Sequence, residues 1–402
     1  MPEQTPWATA KLSEIAQIYA GGTPPRDNKR FWGGSIPWLT PGELSGEGAR
    51  IISSTAEYIT SAGLRNSGAV LLPSGTLLVT TRATLGACTI AGTEMATNQG
   101  FKNLVFDREI ADPTFYYYFF RTLKRTLERR ASGTTFLEIS AGDLGNLPVP
   151  TPPLAEQRRI VEALCCVSES EQAIEASIVK LNIVQKARLE ACTAPGDGRL
   201  GPLKDRLLRI EAGKSPDLPN TPAAPGEWGV LKVSAIHRDG FRPNENKIAV
   251  SPADVNQRYE VHCGDLLMSR ANTPDLVGSA CIATKSSARL LLSDKTLRLI
   301  EEPQLADRDY INLCLASTAV RRQIEHLASG SSRSMQNISQ RAVESLVVYW
   351  PDLAQQRRIV NEFSSISEQI RQGQQEVLKL RKLRAGLTDD LLSGRVRVGD
   401  VA

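Results

Sequence analysis

The chain contains one internal duplication, and this feature limits the folds that it can adopt. Residues 149–161 read VPTPPLAEQRRIV and residues 348–360 read VYWPDLAQQRRIV, so nine of thirteen positions are identical at an offset of 199. A second match lies upstream, where ASGTTFLEIS at 131–140 corresponds to ASGSSRSMQNIS at 328–339. Self-similarity at a fixed offset indicates that one structural unit occurs twice. With 402 residues, the chain has room for two domains that each bury a core.

A long helix is predicted after each copy of the repeated segment. Apolar positions after Leu154 and after Leu353 recur in alternating steps of four and three, and the two sets are related by the same offset. This spacing is a heptad stripe, which requires a partner helix. Each stripe could instead pack on its own domain, but the duplicated register favours pairing of the two stripes. The stripes comprise Ile160, Leu164, Val167, Ile174, Ile178 and Leu181 in the first helix and Ile359, Phe363, Ile366, Ile370, Val377 and Leu380 in the second.

The segments before the two helices mix strand and helix patterns. Asn103–Phe106 and Thr296–Ile300 read as short strands, and Ala69–Thr80 reads as two strands joined by a turn. Phe115–Arg130 and Tyr310–Leu327 have helical spacing. The pattern predicts an α+β fold with pseudo-two-fold symmetry. We expect a first domain at 1–150, a first helix at 151–195, a second domain at 196–350, a second helix at 351–394 and a tail at 395–402.

Composition excludes several classes of protein. The formal net charge is +4, too small for histone-like charge neutralisation but compatible with site-specific DNA binding. No run of about 18 apolar residues predicts a membrane span, and no secretory signal is visible at the N-terminus. The seven cysteines form no CxxC pair and the three histidines are scattered, so we expect no metal site and a reducing cytoplasm.

Catalytic motifs are incomplete. Gly213-Lys214-Ser215 resembles the end of a phosphate-binding loop, but Leu208 stands where the loop needs glycine. Asp112-Pro113-Thr114-Phe115 only approaches an amino-methyltransferase motif, and no glycine-rich partner accompanies it. A metal-dependent nuclease would have to combine Asp217 with Glu245 and Lys247, which are better explained as solvated loop charges. A nuclease or methyltransferase in a single chain is therefore the alternative rather than the preferred interpretation, and no catalytic residue is predicted.

Nucleic-acid contact is the chemistry that remains. Loops rich in Arg, Lys, Asn, Gln and Thr match the donors and acceptors of base edges. Arg82 and Arg270 are the strongest candidates because GTLLVTTRATLGACTIA and GDLLMSRANTPDLVGSACIA place them at matching points, although a buried salt bridge is the alternative role for each. The candidates are Arg26, Lys29, Arg30, Thr81, Arg82, Asn98, Gln99 and Lys102 in the first half, and Lys214, Ser269, Arg270, Asn272, Lys285, Lys295 and Arg298 in the second.

A basic helix face is a further candidate. Arg121, Arg125 and Arg129 fall on one side of the predicted helix at 115–130 and could lie along phosphates. An ordinary solvated face explains the same pattern. The aromatic residues at 115–120 are expected in the core rather than in a base-stacking platform.

These motifs together resemble the specificity (S) subunits of Type I restriction–modification systems. The resemblance rests on PPLAEQRRIV at 152–161 and its counterpart at 351–360, on GTLL at 75–78 and GDLL at 264–267, and on SGTTF at 132–136. It covers almost the whole chain. The second copy departs from the first at Asp352 and Gln355, so the two docking surfaces need not be identical.

The resemblance implies two target-recognition domains joined by two long helices that form an antiparallel coiled coil. Each domain would read one half of a split target in double-stranded DNA. The subunit itself would be non-catalytic and without a cofactor. It would recruit two methyltransferase (M) subunits, which use S-adenosylmethionine, and restriction (R) subunits, which use ATP and Mg²⁺, in the cytoplasm and without a membrane.

Two other interpretations remain open at this point. The chain could be a specificity-like subunit of another phage-defence system with the same scaffold. A purely structural coiled-coil scaffold is a third class, but it does not explain two divergent domains of about 150 residues.

Overall fold

Two compact units make up the chain. Unit 1 comprises Met1–Ile174 and Gln375–Ala402, and unit 2 comprises Glu175–Gln374. Each unit therefore combines one α+β domain with parts of both long helices. The computed structural model describes residues 7–44, 49–82, 85–123, 126–127, 138–193, 198–332 and 335–398.

Unit 1 is built on a five-stranded sheet of order β2-β9-β6-β7-β4, with a second sheet of order β5-β3-β8 and a two-stranded ribbon β1-β10. In the large sheet, β6 pairs antiparallel with β9, and Leu77 lies opposite Leu104. The strands are β1 (Thr9–Lys11), β2 (Ala16–Ala20), β3 (Trp32–Leu39), β4 (Ile51–Ile52), β5 (Glu57–Ile59), β6 (Leu77–Thr80), β7 (Cys88–Ala91), β8 (Ala96–Thr97), β9 (Phe101–Phe106) and β10 (Pro148–Pro150).

Unit 2 repeats this plan. Its four-stranded sheet has the order β12-β21-β17-β19, and further sheets have the orders β16-β13-β20, β14-β15, β18-β23-β22 and β11-β24. The strands are β11 (Arg199–Pro202), β12 (Leu207–Ala212), β13 (Trp228–Leu231), β14 (Ile236–His237), β15 (Gly240–Phe241), β16 (Asn246–Ile248), β17 (Leu266–Ser269), β18 (Ala271–Asn272), β19 (Ala280–Ile282), β20 (Arg289–Leu291), β21 (Thr296–Glu301), β22 (Ser329–Ser332), β23 (Met335–Asn337) and β24 (Val347–Trp350).

The strand orders confirm the duplication. The series β2-β9-β6-β7 in unit 1 corresponds to β12-β21-β17-β19 in unit 2, and the terminal ribbon β1-β10 corresponds to β11-β24. The parallel pair β3 and β8 likewise corresponds to the parallel pair β13 and β20. The two domains therefore share one topology, as the α+β prediction with pseudo-two-fold symmetry requires.

Helices cover the sheets and connect the domains. Those in the described ranges are α1 (Leu12–Ile15), α2 (Ser61–Arg65), α3 (Pro113–Thr122), α4 (Ala141–Gly145), α5 (Leu154–Thr193), α6 (Arg308–Ala316), α7 (Thr318–Leu327), α8 (Gln340–Glu344) and α9 (Leu353–Ser393). None of these helices is both long and apolar enough to cross a membrane.

Some predicted elements differ from the structure. Only Leu77–Thr80 of the segment predicted as two strands is a strand, and Leu72 forms an isolated bridge to Met95. The predicted helix over 310–327 is broken at Ser317, whose hydroxyl caps α7 by accepting a hydrogen bond from the Val320 amide. The predicted helix over 115–130 is helical at Pro113–Thr122, and Lys124, Arg125, Arg129, Arg130 and the segment 132–136 lie outside the described residues.

Each core joins its sheet to the long helices. In unit 1, the aromatic residues of α3 are mostly buried, as predicted, and pack with Ile160 and Leu164 of α5 and with Leu391 and Leu392 of α9. In unit 2, Ile359 and Phe363 of α9 pack in the core with Tyr310 of α6. The first two stripe positions of each helix therefore belong to the core of the preceding domain, which is the alternative that the sequence left open.

The remaining part of each helix pairs antiparallel. In unit 1, Ile160 and Leu164 pack in one core with Leu391 and Leu392, and Glu171, further along α5, accepts from Arg381 at 2.8 Å. In unit 2, Gln185 donates to Ser367 and Arg188 donates to Glu362. In both units the partner number falls as the α5 number rises, so the predicted antiparallel coiled coil is confirmed. Every predicted stripe position is buried or half-buried.

Candidate nucleic-acid interface

In unit 1, the end of β2 meets the loop before β9. The Gly22 amide donates to the Thr97 carbonyl oxygen at 2.9 Å, and the Thr23 hydroxyl donates to the Gln99 side chain. A Cβ at Gly21 would overlap the Asn98 carbonyl oxygen, so the close approach of these two segments requires glycine. Gln99 is exposed beside this contact.

Arg82 lies next to this loop. The preceding residue, Thr81, donates its amide to the Gly100 carbonyl oxygen at 2.8 Å. Arg82 forms an ion pair of 2.8 Å with Glu138, whose other oxygen is 3.6 Å from Lys102 Nζ. The hydrogen bond from Arg82 lowers the pKa of Glu138. The Arg82 side chain is 44 % exposed and that of Lys102 is 9 % exposed, so Arg82 is the member of this group that can reach a ligand.

A second basic group surrounds two tryptophans. The Arg26 guanidinium lies 4.0 Å from the centroid of the Trp32 ring and forms an ion pair with Glu57. The hydrogen bond from Arg26 lowers the pKa of Glu57. Lys29 and Arg30 follow in a short 3₁₀ turn and are exposed. These side chains are therefore held on a rigid aromatic base rather than on a free loop.

Unit 2 builds a corresponding edge with different side chains. The Ser215 hydroxyl donates to the Asp294 carboxylate, as Thr23 donates to Gln99 in unit 1. A Cβ at Gly213 would overlap the Leu292 carbonyl oxygen, so this position requires glycine, as Gly21 does in unit 1.

Basic side chains surround this edge. Arg270 donates its amide to the Lys295 carbonyl oxygen at 2.8 Å and its guanidinium to the Asp294 carbonyl oxygen at 3.4 Å. Lys214 and Lys295 are exposed. Lys295 also lines a cavity of about 330 Å³ together with Lys232 and Lys247. The fold thus brings Lys214, Arg270 and Lys295 together.

The hydrogen bonds correct the sequence alignment of Arg82 with Arg270. The Thr81 carbonyl oxygen accepts from the Ile139 amide, and the Arg270 carbonyl oxygen accepts from the Ile338 amide. Arg270 therefore corresponds to Thr81, and Arg82 corresponds to Ala271. The prediction of matching points is wrong by one residue, because Arg270 directly follows its strand whereas Thr81 separates Arg82 from its strand. Successive side chains of an extended segment point to opposite faces.

Several other candidates are buried. Thr81 and Ser269 have less than 2 % exposure, and the Ser269 hydroxyl donates to the Leu276 carbonyl oxygen at 2.9 Å. Asn98 is half-buried and accepts from the Gly100 amide at 2.9 Å, and Asn272 is half-buried in the pairing of β18 with β23. These side chains shape the loops that carry Arg82, Gln99 and Arg270.

Arg298, which the sequence suggested for DNA contact, instead forms a buried salt bridge. It donates to Glu211 at 2.6 Å and to Asp265 at 2.8 Å, and it is nearly buried. This ion pair ties β21 to β12 inside unit 2. Lys285 is exposed, and Arg121 donates to the Tyr117 hydroxyl at 2.7 Å. Among the described residues, no group of histidine, cysteine, aspartate and glutamate could hold a metal ion.

Comparison with known proteins agrees with this architecture. The family described as Type I restriction modification DNA specificity domain matches residues 4–180. The MjaIX specificity subunit of Methanocaldococcus jannaschii is 23 % identical over 98 % of this chain and 94 % of its own length. The EcoEI specificity subunit of Escherichia coli is 31 % identical over 46 % of this chain and 32 % of its own length.

Solved structures agree over the full fold. The S subunit of the Type I restriction–modification system from M. genitalium has a TM-score of 0.58 and 13 % identity, and the match covers 98 % of this chain and 97 % of that structure. A chain from a structure of Type I restriction–modification complex assembly has a TM-score of 0.59 and 20 % identity, with 98 % of this chain covering 99 % of it. The first part of the chain thus matches the Type I DNA specificity domain family, and the whole chain is similar to Type I specificity subunits. At these identities, the structural neighbours establish the fold.

Two residues that join the long helices to the domains were not identified from the sequence. Gln157 is fully buried, accepts from the Asp112 amide at 2.8 Å and donates to the carbonyl oxygens of Ile110 and Pro152. Gln356 repeats the arrangement, since it accepts from the Asp307 amide at 2.9 Å and donates to the corresponding carbonyl oxygens. Each glutamine therefore fixes the start of a long helix to the first turn of a domain helix. Its identity in both copies of the repeated motif was the available signal.

The long helices of the chain also expose apolar residues. Val179 is 58 % exposed and Val184 is 50 % exposed on α5, and Leu378 and Leu383 on α9 are 57 % and 51 % exposed. These positions are related by the offset of 199 that relates the two repeats. The duplication thus preserves an apolar surface that the helix pair does not bury.

Proposed function

We propose that this chain is a specificity subunit that reads a split target in double-stranded DNA, with one part read by each domain. The observation that carries the proposal is the edge that both domains build on the same scaffold. Unit 1 presents Gln99 and Arg82 there, whereas unit 2 presents Arg270 and Lys295. Side chains with different donors and acceptors distinguish different base pairs in the major groove. The two parts of the target should therefore differ.

We further propose that the subunit is a non-catalytic targeting subunit that acts in the cytoplasm. Its candidate side chains are amides, guanidiniums and ammonium groups, which suit DNA contact and provide no nucleophile or general base. Methylation with S-adenosylmethionine and cleavage with ATP and Mg²⁺ would then belong to methyltransferase and restriction subunits. All seven cysteines are free thiols, which is typical of a reducing compartment and supports the location.

The exposed apolar pairs supply the docking surfaces in this proposal. Val179 and Val184 form one surface, and Leu378 and Leu383 form the other. Exposed apolar residues on a helix mark interaction sites when they cluster. Because the two surfaces are related by the duplication, we propose that they bind two copies of the same methyltransferase subunit. Restriction subunits would join this assembly.

A binding selection tests the DNA-reading proposal. The chain is purified with its methyltransferase partner and incubated with a random duplex library, and the bound fraction is sequenced. We expect two short conserved blocks separated by a spacer of fixed length. Replacing residues 1–150 with those of a related subunit should change one block and leave the other intact. A change in both blocks, or bound DNA without any conserved block, would contradict the proposal.

Stoichiometry tests the docking surfaces. The double substitution Val179→Glu and Val184→Glu should reduce the methyltransferase content of the complex from two copies to one, because a charge replaces apolar contact at one surface. Leu378→Glu with Leu383→Glu should do the same at the other surface. Arg159→Glu, an exposed change about 30 Å away along α5, serves as the control. Native mass spectrometry that finds two copies in every variant would rule out these surfaces.

A further inference from the structure

Unit 2 contains a cavity at the junction of its domain and the long helices. Its volume is about 340 Å³. Gln185 and Leu189 of α5 and Phe363 and Ser367 of α9 line one side, and residues of β19, α6 and α7 line the other. Lys214, Arg270 and Lys295, which form the edge described above, are not among the residues that line this cavity. It is therefore separate from the proposed DNA interface.

Three polar atoms in the wall of this cavity have no hydrogen-bond partner among the described residues. They are Nε of Arg321, Oγ of Ser279 and Oδ1 of Asn312. Arg321 is 8 % exposed and Ser279 is 2 % exposed. A buried polar atom without a partner destabilises the folded state, because it has lost its hydrogen bonds to water. Three such atoms around one cavity therefore indicate that something polar completes them.

The charge around the cavity is positive. Arg321 donates its two terminal nitrogens to the backbone oxygens of Val277 and Asp275, and no carboxylate of the described chain lies within ion-pair distance of it. Burial and the nearby Arg238 lower the pKa of Arg321, and the more weakly acting carboxylates of Glu325 and Asp275 oppose this shift. Arg238 and Lys186 also line the cavity. An anion is thus the complementary ligand.

The corresponding place in unit 1 holds a larger cavity, of about 1030 Å³, that is lined by different residues. Tyr116 and Tyr310 correspond, because each hydroxyl donates to a carbonyl oxygen of the matching strand. Tyr118 consequently stands where unit 2 has Asn312, and its hydroxyl contacts the Cys165 thiol at 3.6 Å. The scaffold therefore does not require the unpaired polar set, which is particular to unit 2.

We propose that this cavity binds a small oxyanion from solution, of the phosphate or carboxylate class. The oxyanion accepts hydrogen bonds from Arg321 Nε and from the Ser279 hydroxyl. A half-turn of the Asn312 amide, which exchanges its oxygen and nitrogen, supplies the third donor. The bound anion connects the domain helices to α5 and α9 within unit 2 and so stiffens this junction.

Thermal unfolding of the purified chain tests the proposal. Inorganic phosphate and acetate are titrated separately, with sodium chloride at matched ionic strength as the reference. Ligand binding to the folded state alone raises the melting temperature with the logarithm of ligand concentration. We expect at least one of the two anions to produce a saturable rise that chloride does not. Equal effects of all three salts would overturn the proposal and leave water as the occupant.

Two variants locate the effect. Ser279→Ala should leave the melting temperature without anion unchanged or slightly higher, because it removes an unpaired hydroxyl, and should weaken anion binding about tenfold. Arg321→Gln should abolish the response, and Arg322→Gln, which removes an exposed charge from the next position, should retain it. An anion response in Ser279→Ala equal to that of the wild type would place the anion elsewhere and overturn the proposal.

Discussion

Replacing Gln157 by methionine should loosen the junction between the first domain and α5 without affecting the second domain. Methionine has a similar length and no hydrogen-bonding amide. The change leaves the Asp112 amide without its acceptor and removes both donors to Ile110 and Pro152. An unpaired buried group costs about 1–3 kcal/mol, and each lost hydrogen bond about 0.5–1.5 kcal/mol. The local free energy of opening should therefore fall by about 2–6 kcal/mol.

Hydrogen exchange measured by mass spectrometry provides a readout for each unit. A loss of this size should accelerate exchange at the Asp112 amide by at least ~30-fold. The Asp307 amide, which is held by Gln356, should exchange as in the wild type. Gln356→Met should give the reverse pattern, and Gln172→Met, an exposed change on the same helix, should alter neither amide. Equal acceleration of both amides, or of neither, would refute the assignment of one glutamine to each junction.

Three other predictions follow from the interface and the coil. Arg82→Ala or Arg270→Ala should weaken DNA binding by ~1–3 kcal/mol if the side chain reads a guanine. If the side chain contacts only phosphate, binding should weaken equally for all DNA sequences and depend less steeply on salt, as titrations at several salt concentrations will show. Because the pKa of Glu138 is lowered, its ion pair stabilises unit 1 above about pH 4.3, and this stabilisation is lost as pH falls through the folded-state pKa. Urea unfolding of the Glu138→Gln variant should lack this pH dependence. Four residues inserted after Gln185 lengthen α5 by about 6 Å, so sequencing of methylated sites should reveal a spacer longer by one or two base pairs; an unchanged spacer would show that the coil does not set it.

The sequence predicted those parts of the fold that depend on local periodicity. The stripe beginning at Ile160 and its repeat at Ile359 specify two amphipathic helices, and a duplicated register implies a duplicated fold. The break at Ser317 was missed because the apolar spacing continues through it, although serine before an apolar run is a helix-capping signal.

The site was less predictable because its geometry depends on contacts between distant segments. Glu138 holds Arg82 from 56 residues away, and the Trp32 ring beneath Arg26 cannot be inferred from spacing. The alignment of Arg82 with Arg270 failed because Arg82 is seven residues after Gly75, whereas Arg270 is six residues after Gly264. The backbone hydrogen bonds agree with this count. The burial of Thr81 and Ser269 was also not predicted, because threonine and serine occur both in cores and on surfaces.

The division of the chain into units implies an order of folding during synthesis. Unit 2 is continuous from Glu175 to Gln374, so all of its contacts are available once that segment has left the ribosome. Unit 1 needs Leu391 and Leu392 in its core, and Arg397 contacts Glu156 from 241 residues away and Trp7 from 390 residues away. Contacts of large sequence separation form slowly. The first domain to be translated is therefore the last to be completed, and until then it exposes the apolar surface that α9 will cover.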